Sequence, residues 1–506
     1  MSGWKLPSNL RALGGAVLAG CALGLVLAGC SKRERAAAPV EKILRISQRN
    51  EPATLDPQLA TLPDEFFIIR AFGEGLLVPN PEGGAPLPGA AEKWDVSPDG
   101  LIYTFRLREA ARWSNGNPVT SDDFAAMIRK VTASGSLAPK AMLFAAVRDA
   151  VAVNPRTLVI TLKQPAADFP AIVASGPWIP PPPATGVSNG PFILTEWKPN
   201  QHIAVRKNPH YWDAAHVPLD GIRFINFDSG DTEERAFRAG QVDVTMSVPF
   251  SKLGPYRTEH PALIHSVPLH ETRYLALNVT RPPLDDPRVR RALALAFDRT
   301  TLVDKVVLSG QPAFMFLPPG LGGYSPGAAI KEDAAEARRL LAEAGYPAGR
   351  GFPALELAAW PVNVAQLEAI QQMWRRELGI EIAIAQREAR THLASLAAGD
   401  YAVAFMTAIP DYDGASDLFN QLTSGHPLNY PHWKNPEFDR LVAEAGRLAD
   451  PAARNAAYQR AEALLLAEMP VVPLYFNAQN FLVAPRVKGW RADRLWTRFY
   501  RNVSVE

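Results

Sequence analysis

The sequence predicts a mixed α/β protein with more than one lobe. Three observations support this prediction. Strand and helix patterns alternate between residues 355 and 407, short hairpins dominate the first third of the chain, and a stretch rich in proline (175–191, SGPWIPPPPATGVSNGP) separates the two patterns. The chain has 506 residues, which is enough for about three domains.

The elements before and just after the proline-rich stretch are short. SPDG and NPR each lie between two runs of strand-like alternation, so each predicts a hairpin. Thr120 to Asp123 form a capping-box pattern that opens a helix over 121–131. Beyond the proline-rich stretch, the patterns predict strands at 192–197, 203–206 and 242–246 and a helix at 231–239.

The second half of the chain has a βαβαβ pattern. The predicted order is strand 355–360, helix 364–378, strand 380–386, helix 391–398 and strand 401–407, and a glycine follows each helix. Helices at 287–297, 331–344, 436–446 and 451–468 and strands at 274–279 and 471–476 surround it. This alternation is typical of a mixed or parallel sheet covered by helices.

The N-terminus has the layout of an export signal. Lys5 and Arg11 precede an uncharged apolar run at 12–29, and the charged segment SKRER follows. An uncleaved membrane anchor is the alternative, since this run is close to the lower length limit of a membrane span. Residues 1–29 are therefore expected to be a signal peptide and 30–41 a tether.

The only two cysteines, Cys21 and Cys30, lie in two copies of LAGC that both fit the bacterial lipobox. Cleavage before Cys21 would leave an apolar tail, whereas cleavage before Cys30 exposes a charged spacer. We therefore expect Cys30 to carry the lipid and Cys21 to be discarded. The rest of the chain has no cysteine, so its stability must come from burial.

Charge and motifs argue against several function classes. Without Lys5 and Arg11, basic and acidic residues balance, which gives no reason to expect a nucleic-acid partner. The sequence lacks a Walker A loop, G-x-G-x-x-G, C-x-x-C and H-E-x-x-H. His260, His265 and His270 share neither a helical nor a strand face, so we expect no metal site and no cofactor.

One enzyme-like motif fails on its chemistry. The residues at 323–327 match G-x-S-x-G, but the residue after Ser325 is Pro326, which has no N–H for an oxyanion hole. The acidic pairs at 122–123 and 285–286 lie at helix starts, where carboxylates cap backbone N–H groups. These residues favour a binding protein over an enzyme.

Several ordered stretches resemble the extracellular solute-binding proteins of oligopeptide and dipeptide ABC importers, bacterial solute-binding protein family 5. They cover nearly the whole chain after the signal. They are EPATLDPQ (51–58), EGLLVP (74–79), AAEKWDVSPDGLIYTFRLREAARWSNGNPVTSDDF (90–124), NGPFILTEW (189–197), VRKNPHYWD (205–213), DDPRVRRALALAFDR (285–299), AEARRLLAEAGYP (335–347) and NPEFDRLVAEA (435–445).

This resemblance implies a two-lobed, periplasmic-binding-protein-like fold with an extra inserted domain and a hinge. Mapped onto this chain, the inserted domain is expected at 79–176 and the second lobe at 273–476. The first lobe is then discontinuous and consists of 41–78, 177–272 and 477–506. Crossings near 270–280 and 474–480 would form the hinge and permit closure around a ligand.

The resemblance also implies where a ligand would bind. Asp411 falls where oligopeptide binders carry the aspartate that receives the ligand's amino group, although Asp411 or Asp413 could instead cap a short helix at 416–422. Two segments resemble those that hold the peptide backbone, and three further residues lie at the expected hinge. The expected ligand residues are Asp411, Ile409, Tyr412, Glu51, Pro52, Ala53, Thr54, Tyr475, Phe476 and Asn477.

The implied function is a monomeric, lipid-anchored receptor in the periplasm or at the cell surface. It would capture oligopeptides or dipeptides and deliver them to ABC permease subunits and their ATPases. Pro52 and Pro410 lack a backbone N–H that could pair with a peptide. The alternative is therefore that this chain binds a nickel complex or an oligosaccharide, as some members of the family do. An exported hydrolase using Asp411, Asp413 or Glu51, and a chaperone or signalling receptor, are further alternatives.

Overall fold

The computed structural model describes residues 41–48, 50–360 and 364–506, and residues 42–506 form one compact unit. Its principal helices are Pro63–Phe72, Ser121–Thr132, Phe169–Val173, Gly230–Arg238, Phe250–Glu259, Pro287–Leu295, Ala334–Glu343, Val364–Leu378, Ala389–Ala397, Ala415–Asn420, Pro436–Arg447 and Pro451–Glu468. Among the described residues, none of the helices has the length and apolar content that crossing a bilayer requires.

A six-stranded mixed sheet organises the second half of the chain. Its strand order is Gln311–Pro312, Val471–Leu482, Ile264–Leu277, Val403–Ala408, Leu355–Ala359 and Ile382–Gln386. The last three strands pair in parallel, as the βαβαβ pattern predicts, and the first four pair antiparallel. Helices cover both faces, with separate apolar clusters around Trp374 and Phe419. The predicted mixed α/β class is confirmed.

Two four-stranded sheets lie outside this half. The first has the order Ile43–Gln48, Gly221–Asn226, His202–Lys207 and Phe192–Lys198. Its apolar cluster also contains Phe481 and Tyr500 from the C-terminal segment. The second, entirely antiparallel sheet has the order Ala91–Val96, Ile102–Leu107, Thr157–Leu162 and Val147–Asn154, and it packs against the helix Ser121–Thr132.

Trp178 closes the core of the second four-stranded sheet. Its indole is fully buried and stacks on Phe144, with ring centroids 4.3 Å apart and planes within 8° of parallel. Phe169 meets the same indole edge-on at 5.6 Å. The capping box predicted at Thr120 is confirmed and begins the helix that covers this core.

Two long neighbouring strands connect the six-stranded sheet with the core of the first four-stranded sheet. Ile264–Leu277 and Val471–Leu482 pair antiparallel along most of their length, with a register shift between Pro268 and Thr272. Glu271 lies in this irregular stretch and is fully buried. These strands therefore carry the backbone from the six-stranded sheet to the apolar cluster that contains Phe481.

Three local expectations were wrong or incomplete. Residues 242–246 are buried but form no strand, because Val244 makes only single bridges to Ile46 and Val483. The strand at 274–279 begins ten residues earlier than expected, at Ile264. The helix Phe250–Glu259 was missed because Pro255 lies inside it, and a proline normally argues against a helix interior.

Candidate functional site

The segment 409–413 follows an inner strand of the six-stranded sheet. Val403–Ala408 pairs on both sides, with Ile264–Leu277 and with Leu355–Ala359. The residues after it, Ile409, Asp411 and Tyr412, leave the sheet and line a cavity. This arrangement places the segment that resembles a peptide-holding segment at the wall of the cavity.

The cavity has a volume of about 260 Å³ and collects residues from distant parts of the chain. Phe66 and Arg70 come from the helix Pro63–Phe72, and Trp496 comes from the C-terminal segment. Other walls are formed by 79–84, 174–177, Val267, His270, 409–413 and 492–497. Segments next to the six-stranded sheet and to both four-stranded sheets therefore contribute to its lining.

Asp411 already has a cationic partner inside the protein. The ammonium group of Lys140 donates to Asp411 Oδ1, and the two side chains are 20% and 34% exposed. The backbone N–H of Asp411 donates to Asp417 Oδ2 at 2.5 Å. Burial and the charge of Asp411 raise the pKa of the Asp417 carboxyl. The helix Ala415–Asn420 begins after Gly414 without a side-chain cap, so neither Asp411 nor Asp413 caps it.

Tyr412 and Asp413 support the same segment. The Tyr412 ring is almost fully buried, and its hydroxyl lies 2.9 Å from Ser416 Oγ. Asp413 accepts from the backbone N–H groups of Gly322 at 2.7 Å and Gly84 at 3.2 Å. Gly84 lies on the cavity wall and Gly322 in the short turn Leu321–Gly323, so Asp413 joins two separate regions of the chain.

The structure does not bring Glu51, Pro52, Ala53 and Thr54 to the described walls of this cavity. Glu51 instead accepts from the Trp197 indole N–H at 2.6 Å and the Asn200 backbone N–H at 2.9 Å. The backbone N–H of Ala53 donates to Glu65 at 3.1 Å, and Thr54 Oγ1 accepts from Asp56. These hydrogen bonds already engage groups of Glu51, Ala53 and Thr54 that were expected to contact a ligand.

The three residues expected at the hinge divide between a core and a second cavity. Tyr475 is buried and donates its hydroxyl to Gln366 at 2.8 Å, so it belongs to a core. Phe476 and Asn477 line a second cavity of about 570 Å³. Asn477 also donates to Glu271 at 3.1 Å.

Sequence reasoning missed most of the first cavity's lining, including Arg70, His270, Arg494 and Trp496. His270 and Arg494 line both cavities and therefore mark their junction. Burial and the neighbouring Arg494 lower the pKa of His270 to about 4, although Asp413 opposes this shift, so the imidazole is neutral at pH 7. No motif identified these residues, because their proximity arises only from folding.

Glu271 holds the cavity wall to the two crossing strands. It accepts from the Trp496 indole N–H at 2.8 Å and from Thr407 Oγ1 at 3.0 Å. Arg273 forms an ion pair with the same carboxylate at 2.6 Å. With Asn477, these donors satisfy a fully buried charge that would otherwise be costly.

The described residues contain no group of three or more His, Cys, Asp and Glu side chains that could hold a metal ion. The carboxylates at the cavity accept hydrogen bonds from backbone N–H groups or pair with basic side chains. The site therefore combines backbone groups, aromatic side chains and carboxylates that already have partners, which suits binding of a polar solute.

Residues 85–430 match the family model described as bacterial extracellular solute-binding proteins, family 5 middle. The chain belongs to this family. It is 30% identical to the probable deoxycholate-binding periplasmic protein YgiS of Escherichia coli, over 89% of this chain and 91% of that protein. It is also 30% identical to the periplasmic oligopeptide-binding protein OppA of E. coli, over 90% and 91%.

A solved family structure gives the same architecture. The murein tripeptide-binding protein MppA of E. coli superposes with a TM-score of 0.83 at 28% identity, covering 92% of this chain and 99% of that one. The expected two-lobed fold of family 5 is thereby confirmed. Both curated relatives are named as periplasmic binding proteins, the first of them as a probable one.

Proposed function

We propose that this protein is an exported receptor that captures short peptides in the 260 Å³ cavity and delivers them to an ABC importer. The observation that carries the proposal is that 409–413, including Asp411, lines a cavity between distant parts of the chain. Family membership and the oligopeptide-binding relative support the same solute class. The proposed partners are the permease subunits and their ATPases, and no catalytic step is proposed.

The cavity volume favours a short ligand. Ligand pockets usually measure about 300–1,000 Å³, so this cavity lies near the lower limit. We propose dipeptides and tripeptides as the preferred length. Closure would occur by movement about the crossing strands near 270–280 and 474–480. The first moving lobe would consist of 41–78, 177–272 and 477–506, and the second of 273–476. Residues 79–176 would form the inserted domain.

A second candidate solute follows from the relative named as probably deoxycholate-binding, which is as similar as the peptide-binding one. Phe66, Val267 and Trp496 provide apolar surface in the cavity. In a small amphiphile with a carboxylate, the apolar part would pack on this surface and the carboxylate would pair with Arg494.

The binding test is a titration of the purified protein after unfolding and refolding to remove retained ligand. We expect pools of dipeptides and tripeptides to change tryptophan fluorescence saturably, because Trp496 lines the cavity. Trp496→Phe should reduce the signal while calorimetry still detects binding. Saturable binding of deoxycholate without binding of any peptide from two to six residues would contradict the peptide proposal.

We also propose anchoring through a lipid on Cys30, which lies outside the described residues, as does Cys21. The tether at 30–41 would let a monomeric receptor reach its permease from the membrane surface. Labelling with a radioactive fatty acid is expected to fail for Cys30→Ser and to persist for Cys21→Ser. Loss of label in Cys21→Ser alone would contradict the assignment.

A further inference from the structure

The ion pair between Lys140 and Asp411 joins regions that are far apart in the sequence, across a separation of 271 residues. Lys140 precedes the short helical turn Ala141–Phe144 on the inserted region. Asp411 lies on the segment after the inner strand Val403–Ala408. The ammonium group therefore reaches across the molecule to a carboxylate at the cavity wall.

Lys140 is held in place by the fold and does not extend from a loose loop. Its carbonyl accepts from the backbone N–H of Leu143 at 3.0 Å. One residue further, Phe144 is buried and stacked on Trp178. This anchor fixes the start of the Lys140 side chain, so pairing with Asp411 costs less conformational entropy than it would for a freely moving lysine.

The surroundings of Asp411 are acidic. Besides burial, the charges of Asp411 and Asp168 raise the pKa of Asp417. Burial and the charge of Asp413 likewise raise the pKa of Asp168. Lys140 pairs with Asp411 and also lowers the pKa of Asp417, whereas Arg454 lowers that of Asp168. A ligand ammonium that bound Asp411 would have to displace Lys140 and leave that cation without its partner.

We infer that Lys140 is a specificity-determining residue that occupies the amine-binding carboxylate of Asp411, so that the cavity accepts peptides whose amino terminus is blocked as readily as peptides with a free amine. The inference rests on the proposed function, because it takes Asp411 as the amine receptor. A blocked peptide leaves the internal ion pair intact. A peptide with a free amino terminus replaces the Lys140 ammonium at Asp411 with its own, so its binding free energy improves little.

Removing the lysine should restore a preference for the free amine. Lys140→Met keeps an apolar stem of similar length but leaves Asp411 without a cation. Lys140→Arg keeps the charge and should behave as the wild type. Lys130→Met is a matched control, since Lys130 is an exposed lysine on the helix Ser121–Thr132 of the same region.

The experiment is a competition observed by native mass spectrometry at pH 6.5, where a peptide amine is charged. Ligand-free protein is mixed with equal amounts of a random tripeptide pool and its N-acetylated counterpart, and the ratio of bound free to bound acetylated peptide is measured. We expect a ratio near one for wild type, Lys140→Arg and Lys130→Met. For Lys140→Met the ratio of bound free peptide to bound acetylated peptide should rise to about ten or more.

The outcomes separate the two proposals. A wild-type ratio of about tenfold or more that does not rise further in Lys140→Met would overturn the inference while the peptide-binding function stands. A ratio near one in every variant would also overturn it, because Lys140 would then not control amine preference. Binding of neither pool by any variant would overturn the proposed function and this inference together.

Discussion

Replacing Glu271 with alanine is expected to lower the free energy of unfolding by about 3–5 kcal/mol. The reason is that Glu271 is fully buried and accepts from Thr407, Asn477 and Trp496 while pairing with Arg273. Alanine would leave Arg273, whose side chain is only 21% exposed, without its carboxylate. Urea denaturation monitored by circular dichroism measures the change.

The same substitution should also weaken ligand binding, because Trp496 forms part of the cavity wall and would lose its indole partner. Glu109→Ala is the matched control, since Glu109 and Arg156 form an exposed pair with side chains 85% and 57% accessible. That control should change stability by about 1 kcal/mol or less. Equal stability of Glu271→Ala and Glu109→Ala would show that the buried carboxylate does not hold the crossing strands.

Trp178→Ala is expected to destabilise the protein by about 3–5 kcal/mol, because it removes a fully buried indole stacked on Phe144 and packed against Phe169. The loss should extend to the cavity, whose wall includes Gly176 and Pro177 immediately before Trp178. Thermal unfolding and peptide titration of the same sample measure both effects.

Trp178→Phe provides the matched comparison. Among the residues that the structure describes, the buried indole N–H has no hydrogen-bond partner, so phenylalanine removes an unsatisfied donor as well as some volume. The net cost should be about 1.5 kcal/mol or less. A phenylalanine variant as unstable as the alanine variant would mean that the N–H has a partner essential to the core.

Much of the fold was predictable from local sequence signals. Capping residues and terminal glycines located the helices Ser121–Thr132 and Val364–Leu378, and alternation located the strands of the βαβαβ unit. The first half of Ile264–Leu277 was not predicted, because it contains Pro268 and polar residues that interrupt the alternation. Its strand conformation depends on pairing with Val471–Leu482, a contact that local patterns do not reveal.

The site was predictable only in part. Resemblance identified Ile409, Asp411 and Tyr412, which do line the cavity, but it also led to Glu51, which pairs with Trp197 and Asn200 instead. Lys140 could not be predicted, because its contact with Asp411 depends on how separate regions pack. His270 and Trp496 likewise reach the cavity only through the crossing strands and the C-terminal segment.

The 260 Å³ cavity lined by 409–413 and 492–497 is the proposed peptide site. Photo-crosslinking with a pool of short peptides that carry a diazirine side chain, followed by peptide mapping, tests it most directly. Label that falls on segments containing 409–413 or 492–497 and is displaced by unlabelled peptide is the predicted result. Displaceable label confined to the second cavity, around Val303 to Gln311, would contradict the account.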